Sequence, residues 1–260
     1  MSESISLPSP AGPLVGDYLT GHGSESSFAV VWIHGFGSHR GGEKALAVRQ
    51  ECQRRGWAFA AFDFHGHGAS AGTIHELRVS GLLADLALIR HFLTSRGHTR
   101  FGLVGSSMGG FATAWHTSLH GDGVIGCVLL APAFGFLQRR WERLTQAERE
   151  EWKRTDRLRI VTDWVDAEIS YGLMEERDQF PLESLYSGWR TPSLLFHGWA
   201  DDVVPAVDSL DFLKRVAYPR IELRLFKDGD HRLTAYKEEI ASECGRFFAR
   251  LLEETGQAEE

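Results

Sequence analysis

From Phe101 to Gln138 the chain runs for 38 residues with a single formally charged position, Asp122. A stretch this poor in charge has to be buried, in a membrane or in a protein core. It is not a membrane span, because Gly105, Ser106, Ser107, Gly109, Gly110, His116, His120 and Gly121 cut it into apolar pieces far short of the roughly 20 residues a spanning helix needs. The pieces read instead as strand (Phe101 to Val104), helix (Met108 to His120) and strand (Val124 to Leu130). An unbroken apolar strand such as VIGCVLL implies burial on both faces, hence a mostly parallel sheet flanked by helices.

The same rhythm extends along the chain. Further strands are expected at Phe28 to Ile33, Trp57 to Phe62, Ser193 to Phe196 and Ile221 to Phe226, with helices at Glu43 to Arg55, His75 to Arg96, Ala206 to Val216 and Thr234 to Leu252. The Pro- and Gly-containing segment up to Gly23 suits a hairpin at a sheet edge, and the acidic tail from Glu253 to Glu260 reads as disordered. The length of 260 residues fits one α/β domain, 1–260.

One segment breaks the rhythm. Between Arg139 and Asp178 there are 9 basic and 11 acidic residues, 20 of 40 positions. Thr145 with Glu148 has capping-box spacing, and Leu158, Val161, Val165 and Ile169 recur at a helical interval, so two helices are expected. This reads as a lid whose apolar face, with Trp141, Trp152 and Trp164 nearby, covers a pocket below.

Bulk composition excludes several functions. The net charge of −7 offers no footprint for nucleic acid or an anionic membrane. Three cysteines without ligand-like spacing, Cys52, Cys127 and Cys244, argue against a disulfide framework and a zinc cluster. The N-terminus carries no basic-then-apolar run, so neither a signal nor a transit peptide is expected, and the cytoplasm is the expected location. The chain contains no Asn, so no Asn side chain can serve in a site and no Asn-linked glycan can form.

The chemistry lies where the uncharged stretch turns from strand to helix. Gly105-Ser106-Ser107-Met108-Gly109 is G-x-S-x-G in strand-turn-helix context, which makes Ser107 the candidate nucleophile. A serine hydroxyl needs an imidazole beside it and a carboxylate to orient that imidazole. For this motif both follow in the order acid, then histidine, on loops after later strands. Asp201 follows the strand SLLF and His231 follows IELRLF; Asp202 is the competitor for the acid. Two backbone NH groups, of Phe36 after the strand VVWI and of Met108 at a helix start, are the expected oxyanion donors. His34 is read as bracing that loop. Asp63 to Ser70, with His65 and His67 among glycines, is a strand-to-helix turn rather than a metal pair, and no glycine pattern fits a nucleotide cofactor.

Together these residues resemble the α/β-hydrolase superfamily from about Val30 to Phe248, excluding the charged insertion. Gly42-Glu43-Lys44-Ala45-Leu46-Ala47, Asp63 to Ser70, Val104 to Gly110, Asp201 to Pro205 and Asp230-His231-Arg232 are similar to the acyl-protein thioesterase and acyl-glucuronide esterase branch known from mitochondria. The resemblance implies a Ser107–His231–Asp201 triad that hydrolyses an ester or thioester of a small or medium acyl group without cofactor or metal. It also implies that the insertion, 133–190 at its widest, is a small helical lid, since lids of this fold enter between those strands. Phe36, after one glycine rather than three, is expected to project toward the acyl group and limit its bulk. The rival readings are an amidase or peptidase on the same triad, and a ligand-binding relic without turnover.

Overall fold

The computed structural model describes residues 2–162 and 165–257. Trp164 therefore lies outside the described residues. Eight strands form the main sheet: β1 (Ser2–Leu7), β2 (Leu14–Leu19), β3 (Phe28–Ile33), β4 (Ala58–Phe62), β5 (Arg100–Ser106), β6 (Val124–Leu130), β9 (Ser193–Gly198) and β10 (Ile221–Phe226). A separate hairpin is made of β7 (Leu158–Thr162) and β8 (Val165–Ile169). The main order is β1-β2-β4-β3-β5-β6-β9-β10, parallel throughout except for β1 and β2, the N-terminal hairpin at one edge.

Alternation along each strand explains why the sheet is apolar without interruption. Val31, Ile33, Leu103, Cys127, Leu129 and Leu195 enter one core, shared with helices α2 (Val79–Ser95) and α3 (Met108–His120). Their neighbours Val30, Trp32, Val104, Val128, Leu130, Leu194 and Phe196 point the other way, against α1 (Glu43–Arg55) and α9 (Lys237–Gln257). Both faces are covered, so every position must be hydrophobic. Met108 through Thr117 are all buried, which accounts for the missing charges.

The charged segment adds α4 (Phe136–Arg143), α5 (Gln146–Thr155), the β7–β8 hairpin, α6 (Gly172–Glu175) and α7 (Leu182–Gly188); α8 (Val207–Arg215) follows β9. The capping box forms as expected: the Thr145 hydroxyl accepts from the Glu148 NH at 3.3 Å and the Glu148 carboxylate accepts from the Thr145 NH at 2.8 Å. The second expected helix does not form. Leu158 pairs with Ile169 and Ile160 with Ala167 on one face of the hairpin, while Arg159 and Val161 face outward with Glu168 and Asp166. Period-two alternation with β-branched residues and cross-strand ion pairs, Arg157–Glu168 and Arg159–Asp166, overrides the helical interval. The insertion is thus part helix and part hairpin. At the C-terminus the correction runs the other way, since α9 carries through Glu253 to Gln257, where disorder was expected.

Candidate active site

Three loops at the C-terminal ends of parallel strands converge on one point. At the end of β5 the chain turns into α3 through Ser107, whose φ of 55° and ψ of −117° are strained for a residue with a Cβ. The turn is too tight for side chains beside it. A Cβ on Gly109 would lie 2.2 Å from the Ile33 carbonyl oxygen, and one on Gly105 would lie 2.5 Å from that of Gly109. Small residues here let the hydroxyl stand clear of the sheet.

The loops after β9 and β10 are laced together, Ala200 NH donating to the Gly229 carbonyl at 3.0 Å. They deliver Asp201 and His231. His231 Nε2 lies 2.9 Å from Ser107 Oγ, and His231 Nδ1 lies 2.7 Å from Asp201 Oδ2. The second Asp201 oxygen accepts from the NH groups of Val203 and Val204 at 2.9 and 2.8 Å. Asp202, the competitor, is exposed. Burial pushes the Asp201 carboxyl up, but hydrogen bonds from His197 and His231, the His231 charge and the Val204 NH outweigh it and hold the carboxyl well below the usual range.

His197 was not singled out as a site residue from the sequence. Fully buried in β9, it has Nε2 2.9 Å from the Val204 carbonyl and 3.2 Å from Asp201 Oδ2, so that nitrogen must carry the proton; Nδ1 then accepts from the Ser209 hydroxyl at 2.7 Å. One imidazole in an otherwise apolar strand, four residues before the acid, was the available signal.

The first turn of α3 and the loop after β3 face the same point. Among the described residues, the NH groups of Met108 and Phe36 have no protein acceptor. His34 holds the Phe36 loop: its Nδ1–H donates to the Gly35 carbonyl at 2.8 Å and its Nε2 accepts from the Phe64 NH at 2.9 Å. Burial, then neighbouring His67, lowers its pKa to about 3, so it stays a neutral brace. His65 is likewise engaged, with Nδ1 2.6 Å from Asp85 and Nε2 3.1 Å from the Gly12 carbonyl. Lys44 ties Ser106 to the histidine loop, donating to Ser106 Oγ at 3.2 Å and to the Arg232 carbonyl. Burial, then the Arg232 charge, lowers its ammonium to about 8.

Ser107 lies between two cavities. One, of about 260 Å³, runs past Trp32, Phe36, Lys44 and Arg232. The other, of about 200 Å³, lies under the insertion and is lined by Phe36, Met108 and His231 from below and by Phe136, Leu144, Ile160 and Thr162 from above. Trp141 and Trp152 do not line it. Trp152 is buried within the insertion, its Nε1–H donating to the Ile169 carbonyl at 3.0 Å, and Trp141 lies between the guanidinium groups of Arg149 and Arg177, each 4.7 Å from its ring.

The family model for serine aminopeptidase, S33, matches residues 24–153. Over 210 residues, 78% of this chain and 69% of the relative, the sequence is 30% identical to the mitochondrial palmitoyl-protein thioesterase ABHD10 of Mus musculus. The protein belongs to the α/β-hydrolase family. Solved structures share this α/β-hydrolase fold. Alpha/beta hydrolase domain-containing protein 10 from mouse superposes with a TM-score of 0.80 at 24% identity, covering 97% of this chain and 99% of that one. Est1E from Butyrivibrio proteoclasticus with ferulic acid bound also gives 0.80, at 19% identity, covering 92% and 96%. Relatives of this α/β-hydrolase thus include a palmitoyl-protein thioesterase, and no helix among its described residues is long and apolar enough to cross a membrane.

Proposed function

We propose that this protein is a serine hydrolase of carboxylic esters or thioesters. The observation that carries the reading is the hydrogen-bonded chain from Ser107 through His231 to Asp201, at 2.9 and 2.7 Å, beside two cavities. Ser107 Oγ attacks the acyl carbonyl while His231 Nε2 takes its proton. Asp201 keeps the His231 Nδ1–H in place and stabilises the imidazolium that forms, and His197 in turn fixes Asp201. The NH groups of Phe36 and Met108 receive the developing oxyanion; with no Asn in the chain, backbone is the natural donor. His231 then protonates the leaving alcohol or thiol, and water, deprotonated by the same imidazole, releases the acid. No cofactor enters these steps. Residues 133–190 serve as a lid within a single domain, 1–260, and Phe36 at the junction of the cavities favours small or medium acyl groups.

Ser107→Ala is expected to lower turnover of 4-nitrophenyl butyrate by about three orders of magnitude or more, leaving what the oxyanion donors alone supply. Full activity in Ser107→Ala, or labelling of a different serine by a fluorophosphonate probe, would overturn the assignment. A second reading, amide or peptide hydrolysis on the same residues, is favoured by the serine aminopeptidase description of the matching family. An ester, a thioester and an amide of one acyl group, compared by kcat/KM, separate the two.

A further inference from the structure

In the cavity beneath the lid the charges do not cancel. Arg139, Arg140 and Arg143 line it together with Ser107 and His231. Arg139 is paired with Asp208, the cavity's own carboxylate, whose Oδ2 meets no donor, and Asp201 is committed to His231 and His197. Among the described residues neither Arg140 nor Arg143 has a carboxylate within ion-pair distance. Arg140 Nε is buried and without an acceptor, and its guanidinium sits 5.8 Å from the Phe136 ring. Burial, then Arg143, lowers its pKa, so both features of its surroundings work against the charge it carries. Four other arginines of the insertion are arranged otherwise: Arg154, Arg157, Arg159 and Arg177 each meet a carboxylate, while Arg149 donates to the Trp141 carbonyl. An uncompensated guanidinium is costly when buried and inexpensive when exposed; Arg143 is exposed, but the half-buried Arg140 stands where a neutral residue would have been more stable.

We propose that Arg140 and Arg143 form an anion-binding subsite, and that the preferred esters or thioesters carry a carboxylate or a phosphate that reaches it. This rests on the hydrolase reading above and narrows its substrate. The planar guanidinium of Arg140 can give two parallel N–H bonds to either group, a geometry that lysine does not offer. α4 carries both arginines, so closure of the lid over a substrate and capture of its charge are one event.

The test compares esters that differ only in charge. Mono-4-nitrophenyl glutarate is set against its ω-methyl ester, which places the carboxylate on the acyl side. The butyrate of 4-hydroxybenzoate is set against that of methyl 4-hydroxybenzoate, which places it on the leaving group; a third pair replaces that carboxylate with a phosphate monoester. The wild-type protein is expected to favour the charged member of at least one pair by about tenfold or more in kcat/KM, as one or two charge-assisted hydrogen bonds provide. In Arg140→Gln/Arg143→Gln that ratio should fall toward one, and in Arg140→Lys/Arg143→Lys it should be partly retained. A ratio, unlike an activity, is insensitive to general damage by the substitutions. A wild-type ratio at or below one in all pairs, or a ratio that survives the double glutamine variant, overturns the subsite. If the wild-type protein hydrolyses none of the esters, the hydrolase reading falls instead. Ser107→Ala then decides the subsite alone, and binding the charged esters no tighter than the neutral ones refutes it.

Discussion

Two adjacent stretches of nearly equal length fold by opposite rules. Phe101 to Gln138 has one charge and places β5, α3 and β6 between two cores; Arg139 to Asp178 has 20 charges and is assembled from short elements held by surface ion pairs and a few buried anchors such as Trp152 and Ile169. The first carries Ser107, and the second lines one side of the cavity beside it. Rigidity comes from burial on both faces, while the insertion joins the same core through a few residues such as Trp152, Ile169 and Leu173 and is otherwise held by exposed pairs.

Stability measurements should separate the two. Leu129→Ala, at a fully buried position of β6, is expected to cost about 2–5 kcal/mol in urea unfolding, since it removes a side chain from between packed layers. A loss as small as that of a surface substitution would break the comparison. Acid should also reach the body first. His34 and His116 are buried, and burial lowers them to about 3 and about 4 from an ordinary value near 6.5, so only the unfolded chain takes up their protons in between. Stability is therefore intact above pH ~6.5 and falls toward pH ~4, by ~1.4 kcal/mol per pH unit for each such histidine. His116→Leu should flatten the measured slope by that amount; an unchanged slope would mean that His116 does not stay neutral. The insertion's carboxylates Glu148, Asp156 and Asp166 are held below their usual range, by the Thr145 NH, the Ser170 hydroxyl and Arg159 respectively, so their contributions persist until the pH drops below the ordinary carboxylate range. Smallest of all, Arg159→Ala and Val161→Ala, on the outer face of the hairpin, should leave the urea midpoint unmoved. A clear shift from either would show that the cover is more tightly integrated than its surface pairs suggest.

The same contrast governs what could be read in advance. Where burial dictates residue type, the pattern was legible: β3, β6, β10, α1 and α3 begin and end where the apolar runs and glycines indicate. The positions of Ser107, Asp201 and His231 were legible for a related reason, because each follows a strand whose end is marked. In the lid, Leu158, Val161, Val165 and Ile169 satisfied a helical interval by coincidence, and the pairing of Arg159 with Asp166 across a turn leaves no trace in a one-dimensional pattern. His197 and Arg140 escaped notice because their roles depend on what packs against them, which composition does not record.

Ser107 and His231 stand 124 positions apart, and Asp201 lies between them, 30 positions before His231. That spacing has a consequence in time. A growing chain that has folded its first 200 residues owns the strained turn at Ser107, the Phe36 loop and the whole charged insertion, yet lacks both Asp201 and His231. The hydrogen-bonded set Ser107–His231–Asp201 is complete only when β10 has closed the sheet edge and brought the last loop into place.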